Sequence, residues 1–170
     1  MNIRVIDNCL DTSSFDMISQ TLIDANFPWY FCDSKVGPHY DGPGLHDQQF
    51  VHIFYENFEP RSSYISILDS LLDIINPMAL VRIKANLTTA TSEIIEFPMH
   101  TDLFDNSNNC MTAVYYVNSN NGYTLFESGE RVDSVANRLV IFNSSIRHTG
   151  TTSTDTKNRC VININYYCAS

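Results

Sequence analysis

From residue 78 onward the chain is a succession of short strand-like runs separated by polar turns, and few architectures accommodate that texture. The runs fall at about 78–89, 92–98, 111–118, 123–127, 130–135, 138–143, 146–151 and 159–167. Their Val, Ile, Tyr and Thr suit a pleated, half-buried surface. Between them stand Asp105-Asn-Ser-Asn-Asn109, Ser119-Asn-Asn-Gly122, Ser128-Gly129 and Asn143-Ser-Ser145, all turn-forming residues. Eight such strands point to an antiparallel sandwich or barrel, here a jelly roll.

The first 77 residues read differently. Residues 2–6 suit a short strand. A helix is expected from Asp11-Thr12 to about Ala25, capped by Thr12 or a neighbouring Ser, with Phe15, Ile18 and Leu22 on one face. Pro28 ends it. Residues 33–49 hold three of the six glycines and two of the six prolines, and read as a long loop. Residues 50–55 look extended. A second helix, about 61–75, carries the stripe Tyr64, Ile67, Leu68, Leu71, Leu72 and Ile75, and Asn76-Pro77 stops it. The fold expected is mainly β (α+β): one domain over 1–170, with helical support over 1–77 and a jelly-roll core over 78–168. Two or more helices pack on one sheet.

A net charge of −9 with scattered Lys and Arg argues against a nucleic-acid partner. Five cysteines without a C-x-x-C pair suit free thiols in a reducing compartment. No run approaches the roughly 18 apolar residues of a membrane span, and the start has no signal-like segment. A cytoplasmic location without a membrane partner is the expectation; the sequence leaves the oligomeric state open.

Ser92-Glu-Ile-Ile-Glu-Phe-Pro-Met-His-Thr-Asp102 reads as a strand ending in two metal-capable side chains, His100 and Asp102. Residues i and i+2 of a strand face one side, so imidazole and carboxylate can converge. The one His downstream, His148, completes a 2-His-1-carboxylate set, which suits a non-haem Fe(II) that keeps open positions. Those positions can take a chelating 2-oxo acid and O2. Eleven residues on, Arg159 opens the last strand, and its planar guanidinium suits a far carboxylate. Val161 and Asn163 share its face. H-x-D is itself a weak signal, since His39-Tyr-Asp41 repeats it in the long loop. The ordered set carries the weight.

That set resembles the 2-oxoglutarate/Fe(II)-dependent dioxygenase superfamily, and in particular its small prolyl-4-hydroxylase-like members. The likeness covers about residues 78–167. Asn121-Gly-Tyr-Thr-Leu-Phe126 is similar to the group's Gly-Gly-x-Thr-x-Phe turn and strand, with Asn121 in place of the first Gly. Arg138-Leu-Val-Ile-Phe-Asn-Ser-Ser-Ile-Arg-His148 is similar to the strand leading to its distal His. Many prolyl hydroxylases hold the far carboxylate with Lys, whereas this chain has Arg159. A co-substrate-contacting Tyr has no match in Leu80-Val-Arg-Ile-Lys-Ala-Asn86.

The resemblance implies a double-stranded β-helix (cupin-like) with Fe(II) on His100, Asp102 and His148. It implies 2-oxoglutarate held with help from Arg159, Asn163 and Thr124. It further implies that O2 and 2-oxoglutarate are consumed to succinate and CO2 as an unactivated C–H of a peptidyl or small-molecule substrate is hydroxylated, prolyl being the first guess. Small members of this kind occur in bacteria and their phages. Two alternatives remain: a cupin-like metal enzyme that does not use 2-oxoglutarate, and a non-catalytic jelly-roll binding module. Trp29, Tyr30 and Tyr40 are candidates for a groove or for packing, His46 for substrate contact, and one of Tyr115 and Tyr116 for the pocket. Arg82, Lys84 and Asn86 share a face that is either an inward cationic row or exposed.

Overall fold

A computed structural model describes residues 3–33, 48–103, 107 and 109–169. In chain order the elements are β1 (Arg4–Ile6), α1 (Thr12–Ile23), β2 (Tyr30–Cys32), β3 (Gln49–Glu56), β4 (Glu59–Pro60) and α2 (Asp69–Ile75). There follow β5 (Ala79–Thr89), β6 (Cys110–Tyr116), β7 (Tyr123–Phe126), β8 (Arg131–Asp133), β9 (Arg138–Asn143), β10 (His148–Gly150) and β11 (Asn158–Tyr167). The large sheet runs β1-β9-β6-β11-β5-β3-β2, with β4 on β3, and a smaller one runs β10-β7-β8. Every named pairing is antiparallel.

The period-2 alternation of the central strands divides the protein into two cores. On one face of the large sheet Ile83, Ala85, Ala113, Tyr115, Leu139, Ile162 and Ile164 meet Ile18 and Leu22 of α1 and Leu68, Leu71 and Ile75 at α2. On the other face Val114, Tyr116, Val140, Phe142 and Val161 meet Phe126 and Val132 of the small sheet. Truncating a fully buried Leu such as Leu71 costs about 2–5 kcal/mol. Tyr115 therefore belongs to the helix side and Tyr116 to the inside of the roll.

Local chemistry adjusts three boundaries. Asp11, not Thr12 or Ser, caps α1, its carboxylate accepting from the Ser14 N–H at 3.1 Å. The second helix is shorter than its stripe suggests: a 3-10 turn over Ile65–Leu68 precedes α2. Ser62 Oγ accepts from the Tyr64 N–H and meets His52, holding the chain ahead of that turn in another conformation. Asn76, left-handed at φ 45°, closes α2. The expected strand at 92–98 is absent. That stretch makes one isolated bridge, Glu96 to Thr151, followed just beyond it by His100 to His148, and Pro98 has no N–H to extend a ladder. Side chains substitute: Thr152 Oγ1 accepts from the Ile95 N–H, and Thr149 Oγ1 donates to the Phe97 carbonyl.

His52 lies in the helix-side core, between the Pro28 carbonyl (2.8 Å) and Ser62 Oγ (2.7 Å), against Phe27 and Phe54. A carbonyl only accepts, so Nδ1 carries a proton. Burial holds its pKa below the usual 6.5, although the Pro28 hydrogen bond opposes this. The unfolded chain therefore protonates first, and the stability His52 contributes above about 6.5 is lost as pH falls. Urea midpoints should drop between pH 7.5 and 5.5, and drop less in His52→Asn. Trp29 likewise packs, with its Nε1–H on the Leu22 carbonyl and its ring edge-on to Phe27. Among the described residues no helix is long and apolar enough to cross a membrane.

Candidate metal centre

The two-residue bridge between His100 and His148 sets the geometry. Their backbones exchange two hydrogen bonds of 2.9 Å, which brings the rings to 4.8 Å between centroids. Each Nδ1 faces the carbonyl two residues earlier, Pro98 for His100 and Ile146 for His148, both at 3.0 Å. That fixes Nδ1 as the protonated nitrogen and leaves both Nε2 lone pairs aimed inward, as a metal requires. Asp102 completes the cluster, its oxygens 3.9 Å from His100 Nε2 and 3.8 Å from His148 Nε2. The three ligand-capable atoms lie within 4.8 Å of one another.

Electrostatics favour the ligand states. Burial opposes ionisation of Asp102, but His148, the Asn163 amide, His100 and Arg82 outweigh it and hold the carboxyl below its usual range. Burial, opposed by the Asp102 charge, holds the His148 pKa below its usual value. Asn163 and Asn165 both donate to the same Asp102 oxygen, Oδ2, at 3.0 and 3.3 Å. The other oxygen is left for a cation.

His100, Asp102, His148 and Asn163 line one cavity of about 680 Å³, with Arg159, Thr124, Val161 and the β5 row Arg82, Lys84, Asn86 and Thr88. Arg159 is 5% exposed, and its partners are neutral: Ser134 Oγ at 2.9 Å, the Tyr123 carbonyl at 3.3 Å and Thr124 Oγ1 at 3.4 Å. Thr124 also accepts from the Tyr116 hydroxyl at 2.7 Å. Among the described residues no carboxylate pairs with Arg159.

A family model described as the 2OG-Fe(II) oxygenase superfamily matches residues 90–167, the stretch that holds the cluster and Arg159. Over that stretch, a little under half of the chain, the protein is similar to 2OG-Fe(II) oxygenases. None of the curated proteins matches it. Among solved structures it is similar to a Trichoplax adhaerens prolyl hydroxylase in complex with a hypoxia inducible factor peptide fragment (16% identity, TM-score 0.65, 97% of this chain and 83% of that one). A Burkholderia pseudomallei oxidoreductase of the 2OG-Fe(II) oxygenase family is alike at 13% identity and TM-score 0.66, over 97% and 85% of the two chains. The alpha ketoglutarate dependent epimerase SnoN from nogalamycin biosynthesis reaches TM-score 0.70 at 13% identity, over 99% and 77%. At these identities the likeness is one of fold, the double-stranded β-helix.

Within the cavity the residues singled out from sequence stand together: His100, Asp102, His148, Arg159, Thr124 and Asn163 all line it. Asn163 spends its amide N–H on Asp102. Arg82, Lys84 and Asn86 face inward. His39, Tyr40, Asp41 and His46 lie outside the described residues. The sequence reading missed Asn165, which the period-2 rule that picked Asn163 also selects, and Ser134, which carries no local signal. Gly122, the second position of the turn motif, has a direct reason. A Cβ there would stand 2.7 Å from the Thr152 carbonyl and 2.8 Å from Arg159 Cδ and Asn120 Oδ1. Gly122→Ala should cost about 1–3 kcal/mol by overpacking, read as a lower urea midpoint, and displace Arg159.

Proposed function

We propose that the protein is an Fe(II)- and 2-oxoglutarate-dependent hydroxylase in which His100, Asp102 and His148 hold the metal and Arg159 holds the far carboxylate of the co-substrate. The observation carrying this reading is the buried guanidinium without a counter-charge among the described residues, opening onto the cavity that holds three metal-capable side chains. An uncompensated buried cation is costly; a dicarboxylate supplies the missing partner. The donor set fits the metal: two imidazoles and one carboxylate leave positions open.

When bound, the iron supplies O2 activation, coupling conversion of 2-oxoglutarate to succinate and CO2 with insertion of the second oxygen atom into a C–H bond. The chain's share is positional. Asn163 and Asn165 fix the Asp102 carboxylate, the Pro98 and Ile146 carbonyls fix the imidazoles, and Thr124 and Ser134 aim Arg159. The apolar walls Val114, Val161, Phe97 and Met99 limit water. The chain acts as one domain, in the cytoplasm, on a peptidyl or small-molecule substrate. Solved structures of like fold support either class, one holding a peptide fragment and one in complex with nogalamycin RO. Selectivity is assigned to the segments 33–49 and 103–110 together with the cavity wall.

Protein loaded with Fe(II) and 2-oxoglutarate in air should release succinate slowly without added substrate, and His100→Ala should abolish the release. Absence of succinate from folded, iron-loaded protein, with or without candidate substrates, would overturn the reading.

A further inference from the structure

Among the described residues four cations line the cavity (Arg82, Lys84, Arg147 and Arg159) against one carboxylate, that of Asp102, in a protein of net charge −9. Bound Fe(II) and a dianionic 2-oxoglutarate cancel each other, so the local excess remains for a third ligand. Three of the cations are engaged. Arg147 pairs with Glu127 at 2.6 Å. Arg82 donates to Asn165 Oδ1 at 3.0 Å and stands 3.9 Å from Asp102. Arg159 is assigned to the co-substrate. Lys84 has no ion pair and no hydrogen bond among the described residues.

The register separates Lys84 from Arg159. Lys84 lies opposite Asn163 on β11, whereas Arg159 lies opposite Thr88. Four residues of β5 span roughly 13 Å at about 3.3 Å each, so the two address different parts of the cavity. Between them, on the same face, the Asn86 side-chain oxygen is buried without a partner. A buried acceptor left unpaired costs free energy that a ligand's donor recovers. Burial, and after it the charge of Arg82, pull the Lys84 pKa down, and an arriving anion opposes that shift.

We propose, on the hydroxylase reading above, that the substrate carries an oxyanion, a carboxylate or a phosphate, which pairs with Lys84 beside a hydrogen-bonding group that meets Asn86. A neutral prolyl ring uses neither. In an acidic protein the long-range field repels such a substrate, so its capture rests on this local charge.

The test is fluorine NMR on the full chain loaded with Mn(II) and saturating 2-oxoglutarate, with three probes: trifluoroacetate, monofluorophosphate and the neutral trifluoroethanol. One of the oxyanions should be broadened by the nearby Mn(II), and trifluoroethanol should not. Trifluoroacetate reports the carboxylate class and monofluorophosphate the phosphate class. The apparent affinity should fall at least about tenfold in Lys84→Met and recover in Lys84→Arg; Lys84→Gln serves if the Met variant lacks a cooperative melt. Broadening that is unchanged in the neutral variants, or absent in wild type for both oxyanions, overturns the proposal. So does a Lys84→Met variant that needs more 2-oxoglutarate to saturate, because Lys84 then serves the co-substrate. Failure of wild type to bind Mn(II) with 2-oxoglutarate at all would instead strike the hydroxylase reading.

Discussion

Arg159→Met is expected to weaken 2-oxoglutarate binding by between roughly thirtyfold and a few thousandfold, the equivalent of about 2–5 kcal/mol for losing one partner of a buried charge pair. The size follows from the surroundings. Arg159 is enclosed by Ser134, Thr124, the Tyr123 carbonyl and the Tyr116 ring, none of which can neutralise a carboxylate in its place. Arg159→Lys keeps the charge but loses the planar fork, so it should fall between wild type and Arg159→Met. Calorimetry with Mn(II)-loaded protein measures this directly. A thermal-shift assay gives a second reading. At a hundred times Kd the ligand should stabilise wild type by about 2.7 kcal/mol, and Arg159→Met at the same concentration by far less. Equal stabilisation of the two would remove Arg159 from the co-substrate site.

Asp102→Asn is expected to reduce Fe(II) affinity at least about a hundredfold, beyond the 10–100-fold typical of losing a partner outside the ligand set, while leaving the fold intact. The variant keeps the shape of the side chain, and the reason for the loss is directional. Asn163 and Asn165 both donate to Oδ2. An amide at position 102 must turn its oxygen toward those two donors, which aims its NH2 at the cation. The charge that offsets the cost of burying the cluster disappears as well. Metal titration followed by intrinsic fluorescence measures the affinity, and a far-UV melt checks the fold. An affinity within a few-fold of wild type would place the metal elsewhere.

The sheet was legible because alternation and turn chemistry agree. Strands such as β9, flanked by Asn137 and Asn143-Ser-Ser145, carry both signals, and the observed bounds differ from expectation by two residues or fewer at most ends. The stretch 92–98 was misread as a strand because Ile94, Ile95 and Phe97 are strand-like residues. Nothing local reveals that Thr149 and Thr152, some 55 residues on, take the hydrogen bonds a ladder would have made. The convergence of His100 and Asp102 thus rests on the bridge to His148 rather than on strand regularity. Ordered spacing along the chain brought out His100, Asp102, His148 and Arg159, since each belongs to a motif with a direction. Lys84 could not be assigned a side from sequence: β5 carries polar residues at Arg82, Lys84 and Asn86, and an exposed face has the same pattern. Its inward orientation follows from the helices, whose apolar stripes claim the Ile83 and Ala85 side of the sheet.

Visible absorption under anaerobic conditions tests the central claim most directly. Fe(II) added alone, or 2-oxoglutarate added alone, should leave the wild-type spectrum unchanged. The two together should produce a charge-transfer band that is missing in His148→Ala and, at the same co-substrate concentration, in Arg159→Met. No band from folded wild-type protein at saturating concentrations of both, or an undiminished band in His148→Ala, would contradict the account.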